Sequence, residues 1–332
     1  MRKKDAVREV LLDRRLDRPR ASGVGFAPIN IALCKYWGKR DEELNLPLTS
    51  SLSISLGRLG SGVQLRLWRK WDQIFLNGRL MKPDTPFARR ALAFLDLFRP
   101  ARDVFFDVQT INSIATAAGL ASSASGFAAL TLALDNLFDW RLEPRALSIL
   151  ARLGSGSACR SIYDGFVEWH AGQDRHGMDS FAEPLDATWP DLRVGLVVLS
   201  DKPKAVGSRA AMRQTVTTSP LYSAWPQQVA KDLAAVKQAI RERDFLQLGK
   251  TAEGNALAMH ATMMAARPPV LYWLPASLEA IHKILALRAD GLSVYFTMDA
   301  GPNVKLLFLK QDAPAVRSAF PGLKVIAPFD KK

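Results

Sequence analysis

The chain has only two cysteines, Cys34 and Cys159, and four histidines among 332 residues. Two thiols cannot frame a small domain with disulfides, and neither stands near another Cys or His at metal-ligand spacing. The histidines, His170, His176, His260 and His282, follow no HExxH-type pattern, so no protein-held zinc is expected. Free thiols suit a reducing compartment, which makes the cytoplasm the expected location. No apolar run reaches about 18 residues, and no membrane span is expected. The first residues, MRKKDAVREVLLDRRLDRPRAS, lack the apolar centre of a secretory signal, and Asp5, Glu9, Asp13 and Asp17 break the acid-poor pattern of a transit peptide. Internal repeats and low-complexity tracts are absent too.

What is present is length, hydrophobicity and positive charge. The chain exceeds one typical domain and suggests two, and its 48% hydrophobic content excludes global disorder. A net charge of +13 points to nucleic acid, an anionic membrane or a polyanionic small substrate. Residues 1–23 read as a solvated basic extension of helical character, with a nucleic-acid arm as the alternative. Trp189-Pro190 is the best boundary, dividing residues 24–190 from 191–332.

The pattern centres on residues 112–138, where Thr116 to Ser123, almost without bulk, open into a helix with Phe127, Leu130, Leu134 and Leu137 at helical spacing. Small side chains let a phosphate approach the backbone, and a helix start offers free N–H groups. There is no Walker lysine here, so countercharge must come from Mg²⁺ or from elsewhere in the chain. Val104 to Ile111 alternates like a strand entering this loop. The plain alternative is a tightly packed Ala/Gly/Ser helix start.

Two further clusters stand out. Asn30, Lys35, Tyr36 and Lys39 lie on a connection after a strand from Val24 to Ile31, and Ser155, Ser157 and Arg160 follow a helix from Arg145 to Leu153. Arginine can fork onto a carboxylate or phosphate, although a solvated loop and a capping serine explain such residues as well. Gln64 to Trp68 and Ile74 to Leu76 read as short paired strands with an Asn77-Gly78 turn. Helices are expected over Pro86 to Phe98, Pro226 to Asp244, Phe245 to Met264 and Ala276 to Ala286. A hairpin over Ser293 to Leu309 turns at Asp299.

Four blocks, APINIALCKYWGKR, TAAGLASSASGFAAL, GSGSACRSIYDGFVEW and TMDAGPNVKLL, resemble in order and spacing the signature segments of the mevalonate diphosphate decarboxylase family of the GHMP kinase superfamily. The resemblance implies a two-domain α+β fold, an N-terminal ribosomal-protein-like domain and a C-terminal ferredoxin-like one, with the site in the cleft between. It implies ATP and Mg²⁺, a phosphorylated small-molecule substrate and a homodimer, with no nucleic acid or membrane partner. It further implies Asp299 at the C3 hydroxyl, aided by Lys35, and Arg160 on the substrate carboxylate. Tyr36, Lys39, Ser155, Ser157 and Asn30 would receive the substrate, and Gly119, Ser122, Ser123 and Ser208 the ATP. Ser208 falls on an expected mobile loop, Lys202 to Thr218. The family usually has proline at Ala115 and glycine at Asp164; the latter change sets a negative charge near Arg160 that could repel the substrate or pair with that arginine. Within the family pattern, action on the monophosphate or arrest at 3-phosphorylation are the alternatives.

Overall fold

The structure, a computed structural model, describes residues 1–12, 14, 19–113, 122–202 and 204–330, with Ser122 described through its backbone alone. Helix α1 (Lys3–Leu11) leads to strand β1 (Gly23–Cys34), a small hairpin β2 (Lys39–Asp41) and β3 (Leu46–Pro47), and the long strand β4 (Ser51–Trp68). Next come β5 (Gln73–Leu76), β6 (Arg79–Leu80), helix α2 (Pro86–Leu95) and β7 (Phe105–Asn112). Helices α3 (Ser122–Phe138) and α4 (Pro144–Gly154), a 3₁₀ turn (Gly156–Ile162), β8 (Phe166–Trp169) and β9 (Ala182–Pro184) follow.

β4 is the spine of a seven-stranded sheet. β1 pairs antiparallel along one edge of it, from Gly23 opposite Leu65 to Cys34 opposite Leu52. The other edge is shared, β8 taking Ser51–Ile54 and β7 taking Ser61–Trp68. β5 then lies parallel to β7, so Gln64–Trp68 and Ile74–Leu76 flank β7 and are not partners of each other. Asn77 and Gly78, at φ of 49° and 77°, turn β5 into β6 instead.

The second half runs β10 (Leu192–Val197), α5 (Ser208–Thr218), α6 (Trp225–Glu242), α7 (Phe245–Met264) and α8 (Pro275–Ala289). It closes with β11 (Val294–Met298), β12 (Val304–Leu309), α9 (Ala313–Ala319) and β13 (Lys324–Ile326). Its four strands form an antiparallel sheet in the order β11-β12-β10-β13. Asp244 caps α7 by accepting from the Gln247 N–H at 2.9 Å, and Arg243 in the left-handed region closes α6.

Close packing fixes what these elements present. An added Cβ at Gly23 or Gly25 would sit 2.1 Å from the Ala133 carbonyl or 2.4 Å from that of Ala129, so glycine lets α3 lie directly on β1. Ala128, Ala129, Ala133 and Leu134 of α3 join α2 and α4 in one buried cluster on that sheet. A second cluster joins Ile29, Ile31 and Leu33 of β1 to Val229 and Val236 of α6, Leu248 and Met259 of α7, and Val194 of β10. That cluster holds the two sheets together and brings the end of β1 beside the end of β11. α1 departs from the solvated extension expected of it: Ala6, Val7 and Leu11 form an apolar stripe buried in the first cluster.

Candidate active site

β1 ends at Cys34 and delivers Lys35; β11 ends at Met298 and delivers Asp299. Lys35 Nζ lies 2.9 Å from Asp299 Oδ1, and Lys305 Nζ of β12 lies 3.2 Å from Oδ2. Both lysine side chains are 2% exposed, whereas Asp299 keeps 26% of its side chain open to the cleft. Burial alone pushes the Asp299 carboxyl up, but Lys35 and then Lys305 outweigh it and hold the group well below the usual carboxylate range. Asp299 is therefore ionised at neutral pH.

Buried partners hold this pair in place. Lys35 Nζ also donates to the Ala32 carbonyl at 2.8 Å, and its backbone N–H donates to Asn255 Oδ1 of α7 at 2.8 Å. Asn255 Nδ2 donates in turn to Asp232 of α6 at 2.7 Å. His260 Nε2 lies 3.2 Å from the Asp299 carbonyl, and burial, then Lys35, pull its imidazole down to about 3. A neutral ring donates Nε2–H to that carbonyl and fixes the backbone of Asp299.

Arg160, on the 3₁₀ turn, is 3% exposed. Its Nη1 donates to Ser51 Oγ at 2.5 Å, and its Nε and Nη2 reach Asn30 Oδ1 at 3.4 and 3.3 Å. Asn30 is braced by Ser161 Oγ at 2.7 Å and the Ser157 carbonyl at 3.2 Å. Among the described residues no carboxylate lies within ion-pair distance of Arg160. Burial lowers its pKa, while Asp299 is among the charges opposing that shift. Two lysines and an arginine thus face one carboxylate in a largely buried setting, and an excess of buried cation calls for an anionic ligand.

One cavity of about 890 Å³ gathers these groups: Asp299, Lys35, Arg160 and Asn30 line it together with Tyr36, Lys39, Ser123, Ser155, Ser157 and Ser208. Of the site residues expected from the sequence, Gly119 lies outside the described residues, as does the side chain of Ser122. Tyr36 Oη is buried without a hydrogen-bond partner among the described residues, so its hydroxyl can donate to a ligand oxygen. Lys39 is held by Glu42 at 2.8 Å. Ser155 makes no side-chain capping bond, which leaves its hydroxyl for the cavity. Ser208 opens helix α5 and does not sit on the loop expected over Lys202 to Thr218; among the described residues there, only those before 208 are non-helical. Asp164 is exposed and accepts from Ser55 Oγ at 3.2 Å, away from the cavity lining, and the left-handed position of that turn belongs to Gly165 at φ 76°. It neither pairs with Arg160 nor needs the glycine-like backbone.

Sequence reasoning missed Lys305, Arg90, Lys204 and Arg209. Lys305 carried a signal: it is a lone charge inside the apolar strand VKLLFL, and such charges are buried only when paired. Arg90 on α2 and Arg209 on α5 line the cavity from elements remote in sequence, and nothing in their local patterns marks them.

Residues 27–182 match the family model described as the diphosphomevalonate decarboxylase-like N-terminal domain, and residues 194–326 that of the mevalonate 5-diphosphate decarboxylase C-terminal domain. Human diphosphomevalonate decarboxylase is 37% identical over 315 residues, spanning 88% of this chain and 78% of the relative. The chain belongs to the diphosphomevalonate decarboxylase family. A solved diphosphomevalonate decarboxylase from Enterococcus faecalis superposes with a TM-score of 0.85 at 41% identity, over 92% of this chain and 96% of that one. A solved complex with MVAPP, AMPPCP and magnesium reaches a TM-score of 0.86 at the same identity and coverage. The match to the N-terminal family model begins at residue 27, so α1 lies ahead of the matched segment. Among the described residues no helix is long and apolar enough to cross a membrane.

Proposed function

We propose that this chain catalyses the ATP-dependent decarboxylation of mevalonate 5-diphosphate to isopentenyl diphosphate, releasing ADP, phosphate and CO₂. The observation that carries the reading is the sharing of one cavity by Asp299 with its two lysines, Arg160 without a carboxylate partner among the described residues, and Ser123 at the start of α3.

Asp299 accepts a hydrogen bond from the C3 hydroxyl and aims its oxygen at the γ-phosphorus of ATP. A carboxylate held this low is a weak base in the ground state. That suits a loose phosphoryl transfer, in which the hydroxyl proton departs late and positioning supplies most of the acceleration. The tertiary alkoxide is a poor leaving group and its phosphate ester a good one. As that ester leaves, positive charge grows at C3, the C–C bond to the carboxylate breaks as CO₂ departs, and its electron pair becomes the new double bond. Arg160 holds the carboxylate in line until then, and Tyr36, Lys39, Ser155 and Ser157 hold the diphosphate end. Asn30 orients Arg160.

Ser123 and the first turn of α3 suit the triphosphate, with Ser208 as a further contact. Among the described residues no group of three His, Cys, Asp or Glu could cage a metal ion, and the Ser123 hydroxyl in the cavity would be the protein donor to a Mg²⁺ brought in with ATP. When bound, Mg²⁺ neutralises charge on the triphosphate. The same reading divides the chain near residue 190, between β9 and β10, and includes a cytoplasmic homodimer without nucleic-acid or membrane partners; sedimentation of the purified protein tests the pairing.

Purified protein given ATP, Mg²⁺ and mevalonate diphosphate should release CO₂ and phosphate in equal amounts. ADP without CO₂ would make it a kinase on the same fold. Asp299→Asn should lower kcat by roughly 10³-fold or more while a fluorescent ATP analogue still binds; substantial residual turnover would remove Asp299 from its role.

A further inference from the structure

The active-site cavity has an annex that the family-matched residues do not build alone. Lys3 of α1, Arg90 of α2 and Arg209 of α5 line a nook of about 80 Å³ beside Leu153 and Gly154 at the end of α4. Arg90 and Arg209 line the main cavity too, so the two spaces share a wall of guanidinium groups. The nook has room for a few waters or one phosphoryl group.

The arrangement is built rather than incidental. The buried stripe of α1 docks the helix, and the Lys3 N–H donates to Glu43 Oε1 at 3.3 Å. Arg209 Nη2 donates to the Gly154 carbonyl at 2.7 Å, which orients the guanidinium across the nook. Every ionisable residue lining the nook is cationic. Burial pulls the Lys3 ammonium down, Glu43 opposes this, and Arg209 and Lys39 add to it as like charges. Glu42, next to Glu43 in the chain, is already paired with Lys39. An anion entering here would relieve repulsion among cations that have too few carboxylates to answer them.

We propose that α1 completes the anion end of the active site, Lys3 joining Arg209 and Arg90 around the distal phosphate of the substrate, so that a segment ahead of the family-matched domain favours a diphosphate over a monophosphate. The inference rests on the proposed function. On this assignment the terminal phosphoryl group is the one that reaches the annex, so only the longer substrate gains the added cation. The contact is made equally in ground and transition states, so its loss raises KM and leaves kcat.

The test compares the unaltered chain with Lys3→Ala, and with Lys4→Ala, an exposed neighbour on the same helix, as the control for bulk charge. Mevalonate diphosphate is assayed as substrate, mevalonate monophosphate as substrate or competitive inhibitor, and inorganic diphosphate by calorimetric titration. Lys3→Ala should raise KM for the diphosphate and the Kd for inorganic diphosphate roughly tenfold, with kcat within about twofold and the monophosphate unaffected. Lys4→Ala should change none of these. Equal losses on both substrates, or no loss on the diphosphate, would overturn the proposal. If even the unaltered chain releases no CO₂, the decarboxylase reading falls by itself, and the inorganic diphosphate titration alone decides the role of Lys3.

Discussion

At the scale of single residues, the site turns on one carboxylate held between two buried ammonium groups. Lys35 and Lys305 each approach a different oxygen of Asp299, and together they overcome a burial effect that would otherwise push its pKa up. The unaltered enzyme should therefore keep Asp299 ionised well below neutral pH. Lys305→Met removes one counterion without opening a cavity, and burial is then opposed by Lys35 alone. The carboxyl pKa rises, a larger fraction is protonated at any acidic pH, and activity is lost at higher pH than before. A shift of the acid limb upward by about 1 unit or more is expected when kcat is followed from pH 4 to pH 8 at saturating substrate. An unmoved limb would show that Lys305 does not control the ionisation that matters. Lys35→Met should act in the same direction and with greater cost, because Lys35 also ties Asp299 to the Ala32 carbonyl at the end of β1.

At the scale of elements, what the sequence disclosed was what local pattern can carry. α7 falls on Phe245–Met264 as expected and the β11–β12 hairpin around Asp299 is in place, because strong apolar periodicity and turn chemistry decide such segments locally. α5 was missed: SRAAMRQTVTT is polar with few apolar positions, and only Ala211, Met212 and Thr215 are buried. Strand order was hidden as well, since β7 inserts between β4 and β5 through long-range pairing that no window of sequence reveals. The site motifs were legible one by one, yet the pairing of Lys305 with Asp299 needs the hairpin, and the approach of Arg90 and Arg209 needs helices from both halves. α1 read as helical, but the helix it packs against, α4, lies more than a hundred positions away. Packing of α3 on β1 gives this scale its own test. Gly25→Val would drive side-chain atoms into the backbone of α3 near Ala129 and Ala133, where no flexible side chain can yield. The helix must move off the strand or the strand must bend, and either shifts the start of α3, where Ser123 stands. A loss of about 3 kcal/mol or more in denaturant unfolding is expected, with ATP-analogue binding weakened beyond it. Unchanged stability would mean that α3 and β1 are not in close contact.

At the scale of the whole molecule, the two sheets share one buried cluster, and the cavity between them concentrates the charge imbalance of the chain. The sequence carries a net charge of +13, and the cavity is lined by Lys35, Lys39, Arg90, Arg160, Lys202, Lys204 and Arg209 against Asp201 and Asp299. Charge of one sign on low-dielectric walls focuses the field into the cleft, drawing in a polyanionic substrate and raising its encounter rate. Salt screens that long-range attraction while leaving the short, desolvated contacts of the bound state largely intact. The two effects separate in steady-state kinetics. Raising monovalent salt from about 0.02 to about 0.3 M should lower kcat/KM for the substrate several-fold and alter kcat little. A nucleic-acid-binding role for the same charge predicts something else: a labelled oligonucleotide should then bind at low salt and release steeply as salt rises, and it should not compete with ATP or substrate. Basic charge spread evenly over the exterior would likewise give weak salt sensitivity of kcat/KM. A kcat/KM that is flat across the salt series would therefore sink the view that the cleft is where this positive charge acts.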